Sequence, residues 1–173
     1  MWTPVSSTDG LEARPAFTTT AYGGGMARWA PQETDTMAAI ASEVIAQVGT
    51  NRTVVAVDGQ DGTDLERVAA ALVAGFERHG VHAMAAAAPS TDADVLRADL
   101  VTPFRTTGAG DGVLVVHGAG LLAPGTRSLW RWSLWVEQEA GRLERRADVK
   151  IAASAVLDVT DPEHPRREWN DAC

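Results

Sequence analysis

Lysine is almost missing from this sequence. Lys150 is the only one in 173 residues, and the other 14 of the 15 basic residues are arginine. Chemistry that needs an ammonium side chain must use Lys150 or do without. Cysteine is equally scarce: Cys173 stands alone at the last position, which excludes an internal disulfide framework and a cysteine-built zinc site. No run approaches the ~18 apolar residues of a membrane-spanning helix. Basic residues are outnumbered 15 to 23, for a net charge of −8 and a sequence pI of about 4.9. That balance argues against nucleic acid and anionic membrane as partners, since both are held by a surplus of Lys and Arg. The opening residues lack the basic start and apolar stretch of a secretory signal, so the expected location is cytoplasmic.

What is present suits one globular domain: 45% hydrophobic and 22% charged residues. Residues 1–33 read as a flexible extension, broken by Pro4, Pro15, Pro31 and the run Gly23-Gly24-Gly25. Met26, just after those glycines, is an alternative start. Residues 34–168 form the expected domain and 169–173 a tail. Met37, Ile40, Ala41, Val44, Ile45 and Val48 recur at three- and four-residue spacing, the stripe of an amphipathic helix that Gly49 stops. Residues 53–57 are a valine-rich run of the kind buried on both faces of a parallel sheet. Leu65, Val68, Ala69, Leu72, Val73 and Phe76 mark a second helix. Beyond it the expectation is a strand at 81–87, a helix at 91–104, a strand at 112–117 and a short helical turn at 121–129. Then come a strand at 132–136, a charged helix at 137–147 and a strand at 153–159. Alternating strands and helices give an α/β fold, a parallel sheet with helices on both faces. Sites in such sheets lie at the carboxyl ends of the strands, near Asp58, His117 and Asp158.

The stretch from Val54 to Leu65 runs strand, glycine turn, helix start, which is the setting of a phosphate-binding Walker A loop, GxxxxGK[ST]. Such a loop wraps backbone N–H groups around a phosphate at the positive end of a helix, and its lysine and hydroxyl serve phosphate and Mg²⁺. With Gly59 as the first glycine, the second falls on Asp64, the lysine on Leu65 and the hydroxyl on Glu66. Asp61, Asp64 and Glu66 also put negative charge where a triphosphate would sit. The same residues read more simply as a capping box, with Thr63 accepting from the N–H of Glu66 and Glu66 reaching back to Thr63.

Five segments in order resemble the uridine kinase family of P-loop nucleoside kinases, in particular its divergent actinobacterial members. They are VVAVDGQDG from Val54, ADVLRADLVTPF from Ala93, GVLVVHGAGLL from Gly112, RSLWRWSLWVEQEAGRLERRA from Arg127 and SAVLDVTDPEHPR from Ser154. The resemblance implies a P-loop NTPase/kinase-like fold, ATP and Mg²⁺ as cofactors, and a nucleotide or other small molecule as ligand. It maps nucleotide binding onto Gly59, Gly62 and Thr63 in the loop and onto Arg142, Arg145 and Arg146 in a lid helix. The departures are equally specific. The Walker lysine and hydroxyl are absent, His117 stands where the family carries a carboxylate, and the segments that hold the nucleoside look deleted.

Asp58 and His117 are the candidate catalytic residues, each with a plainer alternative. Asp58 can reach Mg²⁺ through water, but an aspartate at a strand–turn junction more often caps the turn. His117 can act as a base or metal ligand, or be a hydrogen-bonded strand end. No histidine spacing suggests a metal site. Trp130, Trp132 and Trp135 are core packing or, if exposed, a homodimer surface. Three functions follow: a uridine kinase-like protein with a degenerate phosphate loop and little or no activity, an active kinase with a non-standard loop, or a homo-oligomeric interaction module.

Overall fold

A computed structural model describes residues 30–107, 110–138 and 152–168. Among them six strands form one sheet in the order β2-β3-β1-β4-β5-β6. The strands are β1 (Thr53–Gly59), β2 (Ala83–Ala87), β3 (Val113–His117), β4 (Trp132–Glu137), β5 (Ala155–Asp158) and β6 (Arg166–Glu168). The first five run parallel, and β6 pairs antiparallel with β5. The α/β expectation holds. β6 is an addition that its three residues, Arg-Arg-Glu, gave no periodic sign of.

The central strand β1 is buried along its whole length, and alternate residues feed two separate cores. Val55 and Val57 join Val113, Val115, Leu134, Val136 and Leu157 beneath α1 (Glu33–Val48) and α2 (Leu65–Arg78). Val54 and Ala56 join Leu114, Val116, Leu121, Leu122, Leu96 and Val101 on the other face. The two-residue period of a strand puts successive side chains on opposite faces. A strand apolar throughout is therefore stable only with a layer on each side, and α3 (Ala93–Leu96) and α4 (Thr102–Thr106) belong to the second layer.

The single helix read at 91–104 is built in three pieces. A π-helical turn, Arg97–Val101, separates α3 from α4. Pro103 is the physical reason: it has no N–H, and its ring crowds the carbonyl one turn back. The backbone widens just before it, with the Thr102 N–H bonded to the Arg97 carbonyl. The helical turn read at 121–129 shrinks to a 3₁₀ turn, Arg127–Leu129. Glu137, read as the start of a charged helix, is instead the buried last residue of β4.

Two of the contacts that tie α1 to the rest decide its placement. At Gly75 the two helices touch backbone to backbone: a Cβ there would lie 2.6 Å from the Met37 carbonyl oxygen. Glycine is the residue that permits such an approach. At the other contact, Arg167 of β6 donates from Nε and Nη2 to the two carboxylate oxygens of Glu43, both at 2.8 Å. A two-pronged Arg–carboxylate pair of this kind fixes orientation as well as distance.

The three tryptophans are not a surface cluster. Trp132 is 2% exposed, lies in the α1–α2 core and donates from Nε1 to Gln47 Oε1 at 3.2 Å. Trp130 is buried in the opposite core and donates to the Leu121 carbonyl at 2.7 Å. Trp135 is half-buried against that same core. The alternation of β4 sends Trp132 and Trp135 to opposite faces, and Trp130 and Trp132 take the first of their two readings, core packing.

Candidate functional site

The carboxyl ends of β1, β3 and β4 bring together the turn after Gly59, the loop after His117 and the end of β4 at Glu137. Five residues, 60–64, join β1 to α2. The turn closes on itself. Thr63 donates its hydroxyl to the Gln60 carbonyl at 2.7 Å and its N–H to the same oxygen at 3.1 Å. The Gln60 N–H is taken by the Val136 carbonyl at 2.9 Å. A Cβ on Gly59 would meet Val136 O at 2.7 Å, Leu65 Cδ2 at 2.8 Å and Thr63 Oγ1 at 2.9 Å. Leu65, at the lysine position, is thus folded back over the first glycine. Gly62 sits at φ +87°, the left-handed conformation that glycine adopts at no steric cost.

The capping box at Thr63 is corrected by one residue. Asp64 is the N-cap of α2, its Oδ1 accepting from the Arg67 N–H at 3.0 Å. The physical reason is competition: Thr63 has already spent its hydroxyl on closing the turn, so the next side chain able to accept takes the helix end. Such a cap is worth about 1 kcal/mol. The residue three positions after Asp64 is Arg67, which donates to Pro162 O and pairs with Glu33 instead of returning to the cap.

These residues do not fit a triphosphate with Mg²⁺. Leu65 and Thr63 crowd Gly59, the helix end is capped by Asp64, and the exposed carboxylates of Asp61, Asp64 and Glu66 surround the place. Arg142, Arg145 and Arg146 lie outside the described residues.

Asp58 is the central feature. Its side chain lies at the inner end of the turn, 1% exposed. Oδ1 accepts from the N–H groups of Gly59 at 2.8 Å and Gly120 at 3.0 Å, and Oδ2 accepts from Leu122 at 2.8 Å. Both oxygens are therefore committed to backbone donors, 62 and 64 residues away for two of them. The reach of Asp58 extends well beyond capping its own turn, to two amides of the loop after β3. Desolvation raises the Asp58 carboxyl above the ordinary 3.8, while the donors of Leu122, Gly59, Gly120 and Leu121 pull it back. A carboxyl raised by folding holds its proton more tightly folded than unfolded, so acidification favours the native state. Unfolding free energy, measured by denaturant titration, is expected to fall as pH rises from 3.8 through the raised value. That slope should vanish in Asp58→Asn.

His117 ends β3, half-buried, in register with Val57 and Ala87. Its carbonyl accepts from Ala88 N–H at 2.9 Å, and its ring makes no hydrogen bond among the described residues. Asp158 bonds its own loop, accepting from Thr160 N–H at 2.8 Å and Thr160 Oγ1 at 2.6 Å. Among the described residues no group of three His, Cys, Asp or Glu side chains could hold a metal ion. No described helix is long and apolar enough to cross a membrane. The loops after β2 and β3 press together here, since a Cβ on Gly118 would stand 3.1 Å from Ala88 Cβ. Sequence reasoning singled out Asp58 but missed Gly120 and Leu122, which take part through backbone N–H groups that any residue type supplies.

No family model matches the sequence, and no curated protein matches it. Two solved structures are similar. One is a possible uridine kinase from Bacillus stearothermophilus, 10% identical over 59% of this chain and 79% of that one, with a TM-score of 0.49. The other is a proposed fructose transport system kinase from Silicibacter sp. TM1040, 18% identical over 67% of this chain and 78% of that one, with a TM-score of 0.46. The chain is a mostly parallel α/β protein on the strength of the order of its six described strands, and the chemistry of its site rests on its own atoms.

Proposed function

We propose that this protein is a uridine kinase-like scaffold that works by binding or association and transfers no phosphoryl group. One observation carries the reading: the turn after β1 is filled by its own side chains, with Leu65 and Thr63 in contact range of a Cβ at Gly59 and no lysine in the loop. Phosphoryl transfer depends almost wholly on positioning and on stabilising charge. A chain without the ammonium group, the metal-binding hydroxyl and an open cradle lacks each of those means. Its partner is a nucleotide or another small molecule held away from this turn, and the names of the two similar structures make uridine and fructose the first ligands to try.

The test is thermal melting with Mg-ATP, uridine and fructose added separately over a concentration series. A ligand that binds the native state must raise the melting temperature by mass action. Mg-ATP is expected to leave it unchanged. A rise of several degrees with Mg-ATP that disappears in Arg145→Ala would sink the proposal and establish the alternative, an active kinase whose lid arginines replace the missing lysine. Association through the tryptophans is not part of the proposal, because Trp130 and Trp132 are buried.

A further inference from the structure

We infer that the loop 118–122 is an anion nest and that Asp58 is its built-in occupant, a carboxylate of the chain standing where the oxyanion of a small carboxylate would sit. Resting on the closed-turn reading above for its meaning, this assignment relocates the anion-binding capacity of the fold from the turn after β1 to the loop after β3.

The geometry has three parts. The donors converge: N–H groups from Gly59, Gly120 and Leu122 reach one carboxylate at 2.8, 3.0 and 2.8 Å. A simple turn cap would draw its donors from the next two or three residues, whereas two of these come from the loop after a neighbouring strand. The occupant is enclosed, at 1% exposure. A buried carboxylate is costly unless it is compensated, and the compensation seen here comes from backbone donors. Desolvation by burial opposes these donors and raises the carboxyl. Finally, the loop has the shape for the task. Gly120 lies in the turn after β3 at φ +83°, and the Gly120 and Leu122 N–H groups both face Asp58. N–H groups of one loop turned to one side in this way form an anion-binding concavity. Leu121 between them is pinned from behind, its carbonyl accepting from Thr126 Oγ1 at 2.8 Å and Trp130 Nε1 at 2.7 Å. The nest is thus held open by its own scaffold and filled by Asp58.

Removing the occupant should expose the site. Asp58→Gly deletes the equivalent of acetate and Asp58→Ala the equivalent of formate. Both variants are expected to melt several degrees below the parent. Acetate should restore part of the loss in the glycine variant and formate in the alanine variant, each saturably, while chloride at equal ionic strength does not and the parent responds to none of them. Equal responses in parent and variants, or no response in the variants, would overturn the assignment. If neither variant folds, Asp58→Asn keeps the shape and removes the charge. Its Gly120 and Leu122 amides should exchange hydrogen at least about tenfold faster than the parent's, with Val115 in the middle of β3 unchanged; unaltered exchange at both amides would equally overturn it. A melting shift of the parent with Mg-ATP would sink the non-catalytic reading and leave the nest standing, whereas failed carboxylate rescue does the reverse.

Discussion

Gly75→Val should cost the protein about 3 kcal/mol and loosen α1 from α2. Even the first added carbon would lie 2.6 Å from the Met37 carbonyl oxygen and 2.8 Å from its carbon. Those are backbone atoms in the first turns of a 16-residue helix, so no rotamer change relieves the overlap and the helix itself must move. Its movement would strain the pairs that hold its start, Arg78 with Asp35 at 3.1 Å and His79 Nε2 with the Ala38 carbonyl at 2.8 Å. It would also withdraw Met37, Ile40, Ala41 and Val44, all fully buried, from the core they share with β1 and β4. Urea denaturation of Gly75→Val and of the milder Gly75→Ala should show graded losses. Parent-like stability in both would mean that the helices are not in backbone contact.

Trp132→Ala carries the second large effect, a loss of about 3–5 kcal/mol, the usual range for deleting a buried aromatic side chain. The indole is 2% exposed at the first position of β4, in register with Val55 of the central strand, and it donates to Gln47 on α1. Its removal leaves a hole between sheet and helix and an amide oxygen without its donor. The same variant separates two accounts of the tryptophans. If they are core, denaturation shifts and sedimentation across a concentration series does not. If they are an interface, the association state changes and the stability of the isolated chain barely moves.

Both experiments act on features that the sequence shows only in part. The stripe from Met37 to Val48 and the run from Leu65 to Phe76 were legible as helices because the apolar residues repeat at helical spacing over more than two turns. That they meet at Gly75 was not, since a glycine inside a helical pattern looks the same whether it marks a weak point or a crossing. The valine-rich run in β1 was legible as a strand covered on both faces. The β6 strand was not, because Arg-Arg-Glu has no apolar period and earns its place by pairing with β5 and clamping Glu43. The helix cap was misplaced by one residue: Thr63 and Asp64 are both good caps, and only the turn geometry decides which hydroxyl or carboxylate is already in use.

The sequence by itself determined the class of the fold, the succession of its main elements and the absence of a lysine from the glycine turn. Those properties are local, written in periodicity and in the residue at a given position. Tertiary structure decided the rest: that Leu65 folds over Gly59, that Trp130 and Trp132 are interior, and that Asp58 binds the amides of Gly120 and Leu122. The reason is that a backbone N–H carries no residue identity. Donors 62 and 64 positions away become partners of a carboxylate only once the parallel pairing of β1 with β3 has brought their ends together.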